Sequence, residues 1–260
     1  LFGIVQAVYF SPEDLDLVRG DPSERRKFLD QLITLRSPRI AGVISDYERA
    51  LRQRNSLLKQ RASQTSLAPW DEQVATLGGE IIAVRLKTIE DFEPIFKSIY
   101  KEISIEKPAW LAYKSSIEEP STSSEDNRRK ILERMAASRN SELERGLTLT
   151  GPHRDDLLLN LGEHLVKGYA SHGESWSIAL SLKLAMYQLL VNDGLSPILI
   201  LDDVFSELDE ERREHLIELA KRAEQTLITV AVETDLPKEL VGRRFGIKSG
   251  STYELNIGAN

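Results

Sequence analysis

Cysteine is absent from the 260 residues. This removes a disulfide scaffold, a thiolate zinc site, an iron–sulfur cluster and a catalytic thiol together. No run approaches the roughly eighteen apolar residues of a membrane span, and the opening Leu1-Phe2-Gly3-Ile4-Val5-Gln6 lacks the basic segment of a signal peptide. Four histidines, His153, His164, His172 and His215, show no metal-ligand spacing. Together these absences predict a soluble protein of a reducing, cytoplasmic compartment with no membrane partner. What is present argues for a packed core, because 41% of residues are hydrophobic and 7% aromatic, which excludes disorder over most of the chain. The formal net charge of −7 speaks against basic charge spread evenly over a nucleic-acid binder.

The strand-like segment Leu1 to Phe10 starts at once, without a methionine, as expected of a chain that begins inside a larger protein. Ser11-Pro12 then suits a capped turn, and a short helix is expected after Asp21-Pro22-Ser23. Beyond Ser37-Pro38, apolar residues fall at Ile40, Ile44, Tyr47, Leu51 and Leu58, with Arg54 at the skipped heptad position. After a break at Ser63 to Pro69 they recur at Trp70, Val74, Leu77, Ile81 and Val84. Two long helices in an antiparallel hairpin follow from this spacing. Gly78-Gly79 should weaken the second helix, and Pro94 should kink or divide it. Trp110 to Tyr113 reads as a strand. The stretch Glu118 to Asn127 reads as a mobile polar loop. A helix from Arg128 to Leu143 should end on a left-handed Gly146, with short strands at Leu147 to Thr150, Leu157 to Leu161 and near Leu165-Val166. Helix Glu174 to Val191, strand Pro197 to Leu201, helix Asp209 to Glu224 and strand Thr226 to Val232 then form a parallel α/β unit.

The sharpest chemical feature is Ile198-Leu199-Ile200-Leu201-Asp202-Asp203. Paired carboxylates at the carboxyl end of a buried strand stand where open α/β sheets place ligands. One can hold Mg²⁺ while the next orients or deprotonates a water. A strand that ends in an Asp-rich helix cap is the purely structural alternative. Upstream, Ala170-Ser171-His172-Gly173-Glu174-Ser175 opens a helix, and its hydroxyl, amides and positive dipole end suit a phosphate. There the alternative is an ordinary serine cap. For His153, in Gly151-Pro152-His153-Arg154-Asp155-Asp156, acid–base chemistry competes with a turn fixed by Arg154 pairing with Asp155 or Asp156.

The order of Ser-x-Gly-Glu, an aliphatic strand ending in Asp-Asp, and Ser206-Glu207-Leu208-Asp209 resembles the second half of an ABC-type ATPase head as in SMC proteins. Three segments narrow the resemblance to the RecF family: Phe10 to Leu15 with Gly20 to Asp30, Gly151 to Leu157, and Leu201 to Asp209. The fold this implies is α/β, a partial ABC-type ATPase head. Residues 1–11 and 196–260 would belong to the Walker B half of lobe I. Residues 12–195 would form lobe II, with the hairpin at about 38–107 and the signature region at 147–195. By resemblance, Asp202 is the Walker B metal carboxylate and Asp203 the catalytic acidic residue. Ser171, Gly173 and Glu174 form the signature that meets ATP bound by a partner subunit, and Ser206 and Asp209 form the D-loop. The usual glutamine of that signature is Glu174 here, which sets a carboxylate near anionic phosphate. The resemblance also implies ATP and Mg²⁺ as cofactors, an ATP-dependent homodimer, RecR as partner, and RecA loading on single-stranded gaps. G-x-x-x-x-G-K-[ST] occurs nowhere in the chain, so a truncated family member is expected, one that lacks the cradle for ATP and any turnover of its own.

Charge is uneven. Between Arg19 and Arg61 lie eleven basic and five acidic residues, a local +6 that leaves −13 elsewhere. Arg49, Arg52 and Lys59 share one face of the first hairpin helix, with Arg54 and Arg61 on another. Such a face can neutralise DNA phosphates without reading bases, or it is simply solvated. The leading expectation is an ATP-dependent DNA-binding repair mediator. The alternative is an SMC-like structural head whose hairpin is a protein-interaction arm.

Overall fold

The structure is a computed structural model that describes residues 6–104, 107–205, 208, 210–237 and 239–255. Strand β1 (Ala7–Phe10) leads through a 3-10 turn at Pro12–Leu15 into α1 (Asp16–Arg19) and α2 (Pro22–Arg36). Pro12 and Pro22 each sit at the start of a helical segment, where a missing N–H costs nothing. Helices α3 (Arg39–Lys59) and α4 (Gln64–Ile103) form the expected hairpin. Strand β2 (Ala109–Lys114), α5 (Ser124–Ala137), α6 (Arg139–Arg145), β3 (Asp156–Leu161) and β4 (His164–Leu165) follow. The chain then forms α7 (His172–Asn192), β5 (Ile198–Asp202), α8 (Glu210–Arg222), β6 (Thr226–Thr229), β7 (Arg244–Lys248) and β8 (Ser251–Leu255).

Strands β1, β5 and β6 make a parallel sheet in that order, with Phe10 opposite Leu201 and Asp202 opposite Thr229. Strands β2, β3 and β4 make an antiparallel sheet, and β7 and β8 a hairpin. Helix α7 is largely apolar and is buried on every side over residues 175–186, against α4, α1, α2 and β1. Its Trp176 meets Phe10 edge-on at 4.6 Å, which joins the parallel sheet to the main core.

Several expectations change here. Helix α4 is one continuous 40-residue element that already starts at Gln64 and contains both Pro69 and Pro94. Neither proline divides it. Both are exposed, so the carbonyl each leaves unpaired one turn earlier faces water, while buried Phe92 and Phe96 hold the helix on either side of Pro94. Gly78 and Gly79 are packing contacts: a Cβ on Gly79 would come within 2.5 Å of the Ser124 carbonyl oxygen. Of the stretch 118–127, residues 118–123 are irregular, but Ser124 to Asn127 form the first turn of α5. Ser123 caps α5, and Asn127 is fully buried, its Nδ2 donating to the carbonyls of Ser121 (2.7 Å) and Gly79 (3.3 Å). Composition hid this, because an acidic, serine-rich sequence also describes a capped helix start. No strand forms at Leu147 to Thr150, where Thr148 is drawn into side-chain bonds with Asn55 and Arg54. Gly146 does end α6 in the left-handed conformation, at φ 62° and ψ 28°.

The hairpin is not a free two-helix arm. Helix α5 packs along α4 and α6 on α3, and together they enclose a second core around Tyr47, Val74, Ile82, Ile131 and Met135. Arg54, grouped in the sequence with a possible DNA-binding face, is completely buried there. It bonds Asp71 at 2.7 Å, Glu142 at 2.6 Å and the Thr148 hydroxyl at 2.7 Å. The heptad position that looked skipped holds a buried ion network, so Arg54 is unavailable to DNA.

Candidate functional site

Asp202 closes β5, and its carboxylate is held from both neighbouring strands. The Tyr9 hydroxyl donates to Oδ2 at 2.5 Å, and the Thr229 hydroxyl donates to Oδ1. These donors, Thr229 first and Tyr9 second, lower the carboxyl's pKa from its ordinary value. An ionised, hydroxyl-oriented carboxylate with remaining lone pairs suits Mg²⁺, which takes one or two protein carboxylates and leaves its other positions to water and phosphate. Among the described residues no group of three or more potential ligands surrounds a common point. Asp203 adopts φ 51° and donates its amide to the Thr229 carbonyl at 3.1 Å, turning the chain out of the sheet. Aspartate tolerates that left-handed conformation better than most residues. Val204 and Phe205 anchor the turn, both fully buried. Ser206 and Asp209 lie outside the described residues.

Ser171 is the N-cap of α7. Its hydroxyl accepts the Glu174 amide at 3.2 Å, and the Glu174 carboxylate accepts the Ser171 amide at 2.7 Å, a reciprocal capping box. Lys107 donates to the other Glu174 oxygen at 3.0 Å. Those bonds, the Ser171 amide foremost, lower the Glu174 pKa. Glu174 is therefore engaged on both oxygens within the fold. Ser171 is exposed and keeps its hydroxyl proton to donate outward. Its neighbour His172 receives Arg19, Nη2 to Nδ1 at 3.0 Å.

Arg49, Arg52 and Lys59 are all exposed on α3. Arg49 lies 3.2 Å from Asp46 and Arg52 lies 3.8 Å from Glu48, so two of the three have acidic neighbours one turn away. His153 is held by Tyr47, whose hydroxyl donates to Nδ1 at 2.6 Å, while Nε2–H donates to the Thr148 carbonyl at 3.1 Å. Burial chiefly, with Arg154 and Arg26 nearby, pushes its pKa down to about 4. Arg154 does not pair with Asp155 or Asp156. It donates to the Thr148 carbonyl at 3.1 and 2.9 Å. Asp155 instead accepts Tyr113 and the Ser116 amide, and Asp156 takes a two-pronged contact from Arg25 at 2.8 and 2.9 Å.

Sequence reasoning missed the supports. Lys183 stands inside the apolar run of α7 and ties Tyr9 and the first turn together, donating to the Tyr9 carbonyl at 2.9 Å and meeting Asp14 at 2.8 Å. A lone lysine in an otherwise core-facing helix was the available signal, since such a charge is buried only when paired. Tyr9 and Thr229 gave none, because their roles depend on strand register.

No family model matches the chain. A curated relative from Streptomyces avermitilis, named DNA replication and repair protein RecF, is 47% identical over 266 residues, covering 98% of this chain and 71% of that protein. The chain belongs to the RecF family. A RecF from Cutibacterium acnes is 43% identical with the same coverage of both chains. A solved structure described as the recombination mediator protein RecF-ATPrS in the RecFOR pathway superposes with a TM-score of 0.87 at 29% identity, over 98% of this chain and 69% of that one. The described RecF-ATP structure gives 0.86. An Smc head domain from Pyrococcus furiosus, at 14% identity and a TM-score of 0.52, shares the fold alone. The RecF segments singled out above, Gly20 to Asp30 and Gly151 to Leu157, meet in space: Arg25 reaches Asp156, and Arg26 reaches the Asp155 carbonyl at 2.9 Å.

Proposed function

We propose that the chain is the greater part of an ATP-dependent, DNA-binding recombination and repair mediator of the RecF type. Asp202 binds Mg²⁺ and Asp203 serves as the catalytic acidic group. Ser171 and Gly173 contact the γ-phosphate of ATP held by a second subunit. The phosphates themselves are cradled by a phosphate loop that these 260 residues do not contain. The observation that carries the proposal is the Asp202 carboxylate, fixed and ionised at the end of a parallel strand by Tyr9 and Thr229.

The division of labour between subunits follows from the family resemblance, in which the signature at the amino end of α7 meets ATP held by a second subunit. The Ser171 hydroxyl and the first amides of α7 would stabilise charge on the phosphoryl group as the bond to the leaving phosphate breaks. The exposed Arg49, Arg52 and Lys59 would contribute sequence-independent DNA contacts. The family resemblance extends the proposal to RecR as partner and to RecA loading at single-stranded gaps. The SMC-like arm reading is weakened because α5 and α6 already cover the hairpin.

The test uses a RecF-family protein that carries both the phosphate loop and these residues. Asp203→Asn should bind ATP and DNA as before and lose turnover, measured by phosphate release at saturating ATP. Unchanged hydrolysis would remove Asp203 from its role.

A further inference from the structure

Around the start of α2 the cations fall into two sets. Arg25 and Arg85 are buried and paired, with Asp156 and Asp30 respectively. Arg26, Lys114 and Arg154 have no carboxylate within ion-pair distance among the described residues. Arg26 donates to the Asp155 carbonyl and Arg154 to the Thr148 carbonyl, which leaves N–H groups on both guanidiniums. The Lys114 side chain, exposed at the end of β2, makes no hydrogen bond among the described residues. All three line one cavity of about 280 Å³, together with Ser23, in the first turn of α2. The N-cap of that helix, Asp21, makes no side-chain cap bond; Pro22 has no amide and the Glu24 amide bonds the Asp21 carbonyl at 3.0 Å, so the Ser23 amide and the positive dipole end are what the first turn offers.

We propose that this cavity binds one phosphate group, held by Arg26, Lys114, Arg154 and the first turn of α2. It shares no residue with the amino end of α7 or with Asp202. The two acids on its wall are already engaged, Asp156 by Arg25 and Asp21 by Lys167 at 3.3 Å, so three positive charges face the space without a local counter-charge. A phosphate relieves that repulsion and matches the planar fork of each guanidinium. The rim carboxylates and the concave shape favour a pendant phosphate over the phosphodiester ridge of a duplex. His153 also lines the cavity. Both of its ring nitrogens are occupied, so it reports on the site without binding the ligand. Its pKa is lowered by burial first and by Arg154 and Arg26 among the charges, and a bound phosphate offsets those two charges.

Inorganic phosphate titrated into the chain in a phosphate-free buffer, followed by calorimetry, should bind saturably. Lys114→Gln and Arg154→Gln should each weaken it about tenfold, the scale of one charge-assisted contact, while Lys97→Gln, on an exposed α4 residue that does not line the cavity, should not. The Lys114 side chain makes no hydrogen bond or ion pair among the described residues, so its variant keeps the test valid even if Arg154→Gln loosens the turn. In proton NMR the His153 pKa should rise from about 4 on adding phosphate. Two dinucleotides that differ only in a 5′-phosphate identify the source. Displacement of phosphate by the phosphorylated one assigns the site to a phosphomonoester on a nucleotide, and displacement by neither assigns it to free phosphate. Absence of saturable binding, or equal affinity in a folded Lys114→Gln, would overturn the proposal.

Discussion

The helical bundle and the parallel sheet handle charge in opposite ways. In the bundle, Arg54 is fully buried and every contact it makes ends on a group of the same chain: Asp71, Glu142 and Thr148. Glu142 is fully buried too, and its second oxygen accepts the Leu149 amide at 2.9 Å. At the end of the sheet, Asp202 is only partly buried and is met by two hydroxyls and, among the described residues, by no cation. Charge satisfied internally holds helices in place, whereas a carboxylate oriented by neutral donors is left able to accept a cation from outside.

That contrast can be broken most forcefully in the bundle. Arg54→Leu leaves Glu142 buried without a counter-charge, while Asp71 keeps Arg139, and it should destabilise the fold by about 3–5 kcal/mol, read as a lower midpoint in urea. A smaller effect is expected from His153. Its folded pKa of about 4 lies below the ordinary value of 6.5, so between those values the unfolded chain binds more protons than the folded one. Stability is then complete above about pH 6.5 and is lost as the pH falls towards 4. His153→Gln should flatten that part of the stability profile, measured by urea midpoints from pH 4 to 7. Ser171→Ala removes one half of the α7 capping box and should cost about 1 kcal/mol, visible as a modest fall in thermal midpoint. The joint change of Arg49, Arg52 and Lys59 to glutamine should leave stability within about 0.5 kcal/mol. The same change should reduce the salt dependence of DNA affinity.

Local features of this fold were legible in the sequence because their causes are local. The aliphatic run before Asp202, the Ser171 cap, the left-handed Gly146 and the heptad spacing of α3 each involve residues a few positions apart. What escaped depends on partners far along the chain. Arg25 and Asp156 are 131 residues apart, and Arg54 and Glu142 are 88. Nothing in the heptad itself distinguishes a buried arginine from a solvated one. The prolines of α4 misled for a related reason, since their cost depends on whether the freed carbonyl faces water. Tyr9 and Thr229 could be placed on Asp202 only once the register of three parallel strands was known.

The central claim is that Asp202 and Asp203 of one subunit work with Ser171 of another. Asp203→Asn and Ser171→Arg, each made in a family protein that carries the phosphate loop, should be inactive alone. Mixed in equal amounts, they form dimers in which one composite site has every group intact, so ATP turnover should recover to about a quarter of the unaltered protein's rate. Recovery of no turnover in mixtures that still dimerise would place all of these residues in a single subunit's site and contradict the account.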